Sequence, residues 1–198
     1  MTDDNPSSAV THSFQGLIYR VFQNGHLPEA TRGVATAFIA AHPRAGTTFL
    51  TNRISHSLVQ GSAAPIAVLD CRRVTDDGFE GSLLAPNGNA RQATMCRIHS
   101  PSLSLAGDWR SDKQYRKECL ERLRASCSYV LLDCPSLQES DDVLGIASMV
   151  EGVVLVVEAN RTTRDQLGRL ERTITSAGGK ILGTMLNKRR YPIPRWLY

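Results

Sequence analysis

The chain has no C-x-x-C pair, no internal repeat and no low-complexity tract. It also lacks any run of about 18 or more apolar residues, so no membrane-spanning helix is expected. Its five cysteines, Cys71, Cys96, Cys119, Cys127 and Cys134, are an odd number without metal-ligand spacing. Neither a disulfide framework nor a zinc site is indicated, and they read as reduced, mostly buried thiols. The opening "MTDDNPSSAVTHS" is acidic and polar. It has neither the basic start nor the apolar centre of a secretory signal, and the expected location is cytoplasmic. Net charge is only +4 and no basic cluster other than the C-terminal tail stands out, so nucleic acid is not expected as a partner.

What is present suits one globular domain: 198 residues, 41% hydrophobic and 21% charged. Residues 1–12 read as a disordered start, 13–188 as the domain and 189–198 as a basic, aromatic tail. Apolar runs alternate with helical patterns. The strand candidates are Val34 to Ala41, Pro65 to Asp70, Tyr129 to Cys134, Gly152 to Ala159 and Ile181 to Asn187. Continuous apolar runs imply strands buried on both faces, as in parallel sheets. Ser111 to about Ser126 opens with a capping-box pattern, Ser111 and Gln114, and reads as a helix. A second helix opens with Thr163 and Gln166 and stops at Gly178 and Gly179. This order specifies an α/β fold, a doubly wound, mostly parallel sheet with helices on both faces. The segment Cys71 to Arg110, rich in Gly, Pro, Asn and Ser, is expected to hold an irregular helix or an extra strand.

Such sheets bind ligands beyond the carboxyl ends of their strands. Three of those ends carry suitable groups: the loop His42 to Thr48, "LDCRR" and "LLDCPS". The stretch "AFIAAHPRAGTTFLTNRIS" has the outline of a phosphate loop, in which amide N–H groups at a helix start cradle phosphate. Gly46 suits the backbone role, Thr48 the magnesium hydroxyl and Asp133 the supporting carboxylate. The lysine that closes such loops is missing. A plain helix N-cap is the competing role for Thr47 and Thr48.

At these residues the sequence resembles the cytoplasmic kinase domain of the bacterial tyrosine autokinases of capsule and exopolysaccharide synthesis. More broadly it is similar to the deviant P-loop ATPases that position septa and partition plasmids. The resemblance runs from about Phe14 to Asn187, and rests most on "LLDCPS", "SDDVLGIASMVEGVVLVVEANRTTR" and "ILGTMLN". It implies a P-loop NTPase-like fold and a site made of Arg44, Ala45, Gly46, Thr47, Thr48, Asp70, Arg72, Asp133 and Asn187. Asn187 would stand at an adenine contact, and Thr48 with Asp133 would hold magnesium. Departures accompany the match. Thr47 takes the lysine place, Arg44 a glycine place, Val68 that of the first aspartate in the second motif and Ser136 that of a proline. The N-terminal segment "SFQGLIYRVFQNG" lacks the ring-forming Glu-x-x-Arg-x-x-Arg and reads as a packing helix through Phe14, Leu17, Ile18, Val21 and Phe22. The tail has Tyr191 and Tyr198 but no tyrosine cluster.

Losing the loop lysine removes a central contribution to phosphoryl transfer, in which single groups of this kind are worth ~10²-fold or more in rate. The expectation is a catalytically degenerate relative with no confident catalytic residue. If the chain is active, Asp70 and Asp133 are the candidates. Either ATP or ADP with magnesium occupies the site, or no cofactor does. The expected role is regulatory: a partner of a membrane-embedded polysaccharide co-polymerase or export protein, peripheral at the inner membrane face, with homo-oligomers in view. Arg189, Arg190, Arg195, Trp196 and Tyr198 are the candidate partner contacts. The alternatives are an active ATPase or tyrosine autokinase using Arg44 or a partner-supplied cation, and a partition-like nucleic-acid-binding protein. His42 is read as solvated. Cys71 and Cys134 are read as neighbouring structural thiols.

Overall fold

The apolar runs form the strands expected of them. In the computed structural model, residues 22, 33–60, 65–75, 78–84, 94–97 and 113–189 are described. Seven strands, β1 (Val34–Ala40), β2 (Ile66–Thr75), β3 (Gly78–Leu84), β4 (Thr94–Arg97), β5 (Tyr129–Asp133), β6 (Gly152–Glu158) and β7 (Ile181–Asn187), make one sheet. Its order is β4-β3-β2-β5-β1-β6-β7. Strands β2, β5, β1, β6 and β7 run parallel. All seven residues of β1 are buried, which places this strand in the middle of the sheet and explains its uninterrupted apolar sequence.

Helix α1 (Thr47–Val59) covers one face, sending Leu50, Ile54 and Leu58 against Phe38, Leu131 and Val154. Phe22, from the segment expected to pack by its apolar side chains, is buried in the same cluster and stacks edge-on with Tyr129 at 5.3 Å. The rest of that segment lies outside the described residues. Helices α2 (Lys113–Ser126), α3 (Asp142–Ala147) and α4 (Arg164–Ser176) cover the other face through Leu120, Ile146 and Ile174. Burial of apolar surface on both sides, at about 25 cal/mol per Å², supplies the main driving force for this three-layer arrangement. Thr163 and Gln166 form the expected capping box at α4, and the chain leaves that helix at Gly178 with φ 88°. Ser111, the expected cap of α2, lies outside the described residues.

The segment from Cys71 onward resolves differently from its composition. Strand β2 continues past Asp70 to Thr75, β3 pairs antiparallel with it and β4 pairs antiparallel with β3. The expected irregular stretch thus contributes two strands, with no helix among its described residues, and extends the parallel sheet at one edge. Gly and Ser mask strand periodicity in β3, whose sequence is GFEGSLL.

Candidate functional site

Parallel register brings the polar strand ends together. Asp70 of β2 lies beside Asp133 of β5, and Phe38 of β1 lies beside Asp133 on the other side. The loop after β1 leaves through Arg44 at φ 64° and Gly46 at φ 98°, and α1 begins at Thr47 with Gly46 as its N-cap. The left-handed φ explains the glycine there, while Arg44 carries the strain of a non-glycine residue in the same region. Thr47 and Thr48 are therefore the first helical residues and not the cap. Asn187, at the end of β7, donates from Nδ2 to the Ala45 carbonyl at 2.8 Å, and a Cβ on Gly46 would lie 2.2 Å from that same nitrogen. In this structure the Asn187 side chain braces the loop.

Arg72 is the centre of the arrangement. Its Nη1 lies 2.9 Å from Asp133 Oδ1 and 3.7 Å from Asp70 Oδ1. Its Nη2 donates to Thr47 Oγ1 at 2.8 Å and to the Cys134 carbonyl at 2.9 Å. Thr48 Oγ1 donates to the other Asp133 oxygen at 2.5 Å and lies 3.5 Å from Arg72 Nη1. The contact with Asp133 Oδ1 is an ion pair without hydrogen-bond alignment, since that oxygen has no hydrogen-bonding partner. Burial alone would lower the Arg72 pKa; Asp133, with Asp70 and Glu139, more than reverses this and raises it. The guanidinium is a permanent cation at the head of the loop. Val68, at the place of an aspartate in the resemblance, is buried against the α1 face.

Several groups here escaped the sequence. Glu139 accepts from the Ser136 amide at 2.9 Å and from its hydroxyl at 2.7 Å. The amide bond leads, the hydroxyl, Arg72 and Arg44 add to it, and the Glu139 pKa is lowered. Lys188, one residue past β7, donates from Nζ to the Arg44 carbonyl at 2.5 Å and pairs with Glu158 at 3.4 Å. Its place just beyond a strand end is the signal that could have found it. His42 corrects the solvated reading: only 6% exposed, its Nδ1 lies 3.5 Å from Gln138 Nε2. Cys71 and Cys134 are neighbours and buried, as expected. Their mutual hydrogen bond and burial push the Cys71 thiol upward, away from reactivity. A cleft of about 300 Å³ opens beside Cys71, Arg72, Pro135 and Glu139. A second, about 440 Å³, lies along Glu158, Asn160, Arg161, Lys188 and Arg189. Of the candidate partner contacts, Arg189 is exposed. Arg190, Arg195, Trp196 and Tyr198 lie outside the described residues.

No family model matches the chain. Tyrosine-protein kinase CpsD of Streptococcus agalactiae is 31% identical over 74 residues, 37% of this chain and 32% of CpsD. The chain therefore matches about a third of that relative's length. The kinase domain of the Escherichia coli tyrosine kinase ETK has the same fold, with a TM-score of 0.66 at 15% identity over 96% of this chain and 81% of that one. Over those 74 residues the chain is similar to a bacterial tyrosine kinase, and it shares the fold of the ETK kinase domain. A nucleotide-binding protein from Archaeoglobus fulgidus, solved in complex with ADP, shares the fold at a TM-score of 0.52 and 16% identity, over 92% of this chain and 73% of its own. The P-loop NTPase-like sheet expected from the sequence is thus the fold observed. Among the described residues no helix is long and apolar enough to cross a membrane.

Proposed function

We propose that this protein is a catalytically silent relative of the tyrosine autokinases, acting as a regulatory or assembly partner in exopolysaccharide or capsule production. The observation that carries the reading is the Arg72 guanidinium, joined to Thr47, Asp133 and the Cys134 carbonyl in the heart of the loop. A working phosphate loop presents a mobile lysine to the terminal phosphates. Here the corresponding place is Thr47, 2% exposed and bonded to Arg72. The backbone cradle persists through Gly46 and the start of α1, which favours residual binding of ATP or ADP over turnover. The ADP complex of the Archaeoglobus fulgidus neighbour supports the same ligand class on this fold.

The partner follows by analogy: a membrane-embedded polysaccharide co-polymerase or export protein, met at the inner face of the membrane. Function on a shared fold has to be argued from sites, and the partner's identity rests on kinship. The test has two arms. Purified protein incubated with ATP and magnesium is expected to show neither phosphate release nor tyrosine phosphorylation above a protein-free blank. Turnover at the rate of an active relative, lost on Asp133→Asn, overturns the reading. Thr47→Lys alone is expected to leave the chain inactive, because Arg44 still stands in the loop and Val68 still replaces a carboxylate. In the producing cell, deleting residues 189–198 should lower polymer output without changing the purified protein's melting temperature. Normal output from the truncated chain removes the tail from the docking surface.

A further inference from the structure

Magnesium is the ion this fold family uses beside the phosphates, and the side chains available to it can be tested one by one. A magnesium site requires near-octahedral oxygen ligands at about 2.0–2.1 Å and usually keeps several waters. The two groups that match magnesium positions, Thr48 and Asp133, are bonded to each other at 2.5 Å. The remaining Asp133 oxygen faces Arg72 Nη1 at 2.9 Å, and the same nitrogen lies 3.5 Å from the Thr48 hydroxyl. A second cation placed between them would meet a fixed positive charge at contact distance. Asp70, the other carboxylate at this strand end, accepts from the Arg72 amide at 3.0 Å and lies 3.7 Å from its guanidinium. Among the described residues no three His, Cys, Asp or Glu side chains gather where a metal could be held. The residues do not fit the ion.

They do fit the charge that the ion would supply. Arg72 offsets the carboxylate of Asp133, whose side chain is 4% exposed, so an incoming anion does not meet an uncompensated buried acid. Its own side chain is 31% exposed, so the cation is partly open to solvent at the strand ends. We infer that Arg72 takes the place of the metal, so that the loop, α1 and Arg72 bind a diphosphate anion without any divalent cation. This rests on the reading that the site binds without turnover, yet it fails or stands separately. A guanidinium suits the task because it cannot lose its proton and keeps donors beyond the two that Nη2 gives to Thr47 and the Cys134 carbonyl.

Calorimetric titration of the purified chain with ADP tests it, first with EDTA and then with magnesium chloride. Affinity should agree between the two within about twofold, below the scale of one hydrogen bond to a charged group. Arg72→Ala should weaken metal-free binding about tenfold or more and make the remaining binding magnesium-dependent, because the Asp133 carboxylate then lacks its cation. Arg72→Lys keeps the charge without the fork and should fall between the two; it also serves if the alanine variant melts below the titration temperature. ADP binding that requires magnesium in the wild type overturns the inference, as does no binding in EDTA by protein shown to be folded. Magnesium-dependent ADP binding without ATP hydrolysis leaves the proposed function standing. Magnesium-dependent hydrolysis removes that proposal as well.

Discussion

The two ends of the parallel sheet each hold an arginine paired to carboxylates, and the two networks are built for different ends. At the amino ends of the strands, Arg124 is 5% exposed and reaches Glu121 at 2.7 Å, Glu151 at 2.8 Å and the Met149 carbonyl at 2.9 Å. Glu151 in turn accepts from the Ala35 amide at 2.8 Å, joining α2 to the starts of β1 and β6. At the carboxyl ends, Arg72 makes comparable bonds but stays 31% exposed beside an open cleft. One arginine is sealed among partners that close the sheet. The other keeps an accessible edge where the fold places its ligands. Similar chemistry is thus sealed into the packing at one end and left partly open to solvent at the other.

The largest expected effect tests the sealed end. Arg124→Ala strands the Glu151 carboxylate and should lower unfolding free energy by ~3–5 kcal/mol, the range for breaking a buried pair by removing one partner. Arg72→Ala should cost less, about 2 kcal/mol, because Asp133 is left buried but keeps its bond from Thr48 and the lost cation was itself partly screened by water. Denaturant titrations measure both, and equal losses would erase the distinction between the two ends.

Two glycines sharpen the contrast at the next scale. A Cβ on Gly33 would lie 1.9 Å from the Cys127 carbonyl oxygen, a backbone atom held by the same amino-end packing. Gly33→Ala should therefore cost about 3 kcal/mol, the upper part of the overpacking range. At Gly46 the clash is with the Asn187 side chain, which can turn away, and the residual cost is the left-handed φ of 98°. Gly46→Ala should cost about 1–2 kcal/mol by thermal melting. Adding Asn187→Ala should recover only the steric part, and full recovery would show that backbone strain at this loop is absent.

The smallest effect is a pH dependence at the open end. The folded-state pKa of Glu139 is lowered, so its contribution is present above the ordinary glutamate value of about 4.3 and is lost as pH falls through the folded value. Glu139→Gln should flatten that part of the acid limb while leaving the melting temperature at neutral pH slightly reduced. An acid limb unchanged by the substitution would show that the Ser136 bonds do not depend on the carboxylate.

Legibility divided along the same line as the energetics. The central strands could be read because burial on both faces demands unbroken apolar sequence, and α4 because its capping box is local in the chain. For the region of β3 and β4 the sequence left an irregular helix and an extra strand open, since β3 and β4 carry Gly, Ser and charged residues that composition assigns to loops. Within the site, Gly46, Thr48, Asp70 and Asp133 were legible because each falls at a strand end or helix start. Lys188 was passed over although it follows a strand end, and Glu139 was not legible, because nothing local in its stretch marks contact with a loop more than 90 residues away.

The amino-acid sequence by itself determined the doubly wound sheet, its central strands and the presence of Thr47, Arg44 and Val68 where the family it resembles has lysine, glycine and aspartate. Those features are written in local pattern and side-chain identity. Only the tertiary structure decided what Arg72 does. Its meaning depends on the register that sets Asp70 beside Asp133 and on the turn that begins α1 at Thr47, which together bring a guanidinium from β2 to groups 25 and 61 residues away in the chain. An ion pair of that kind has no sequence signature, because its energy arises from distance and burial, and both exist only after the sheet has formed.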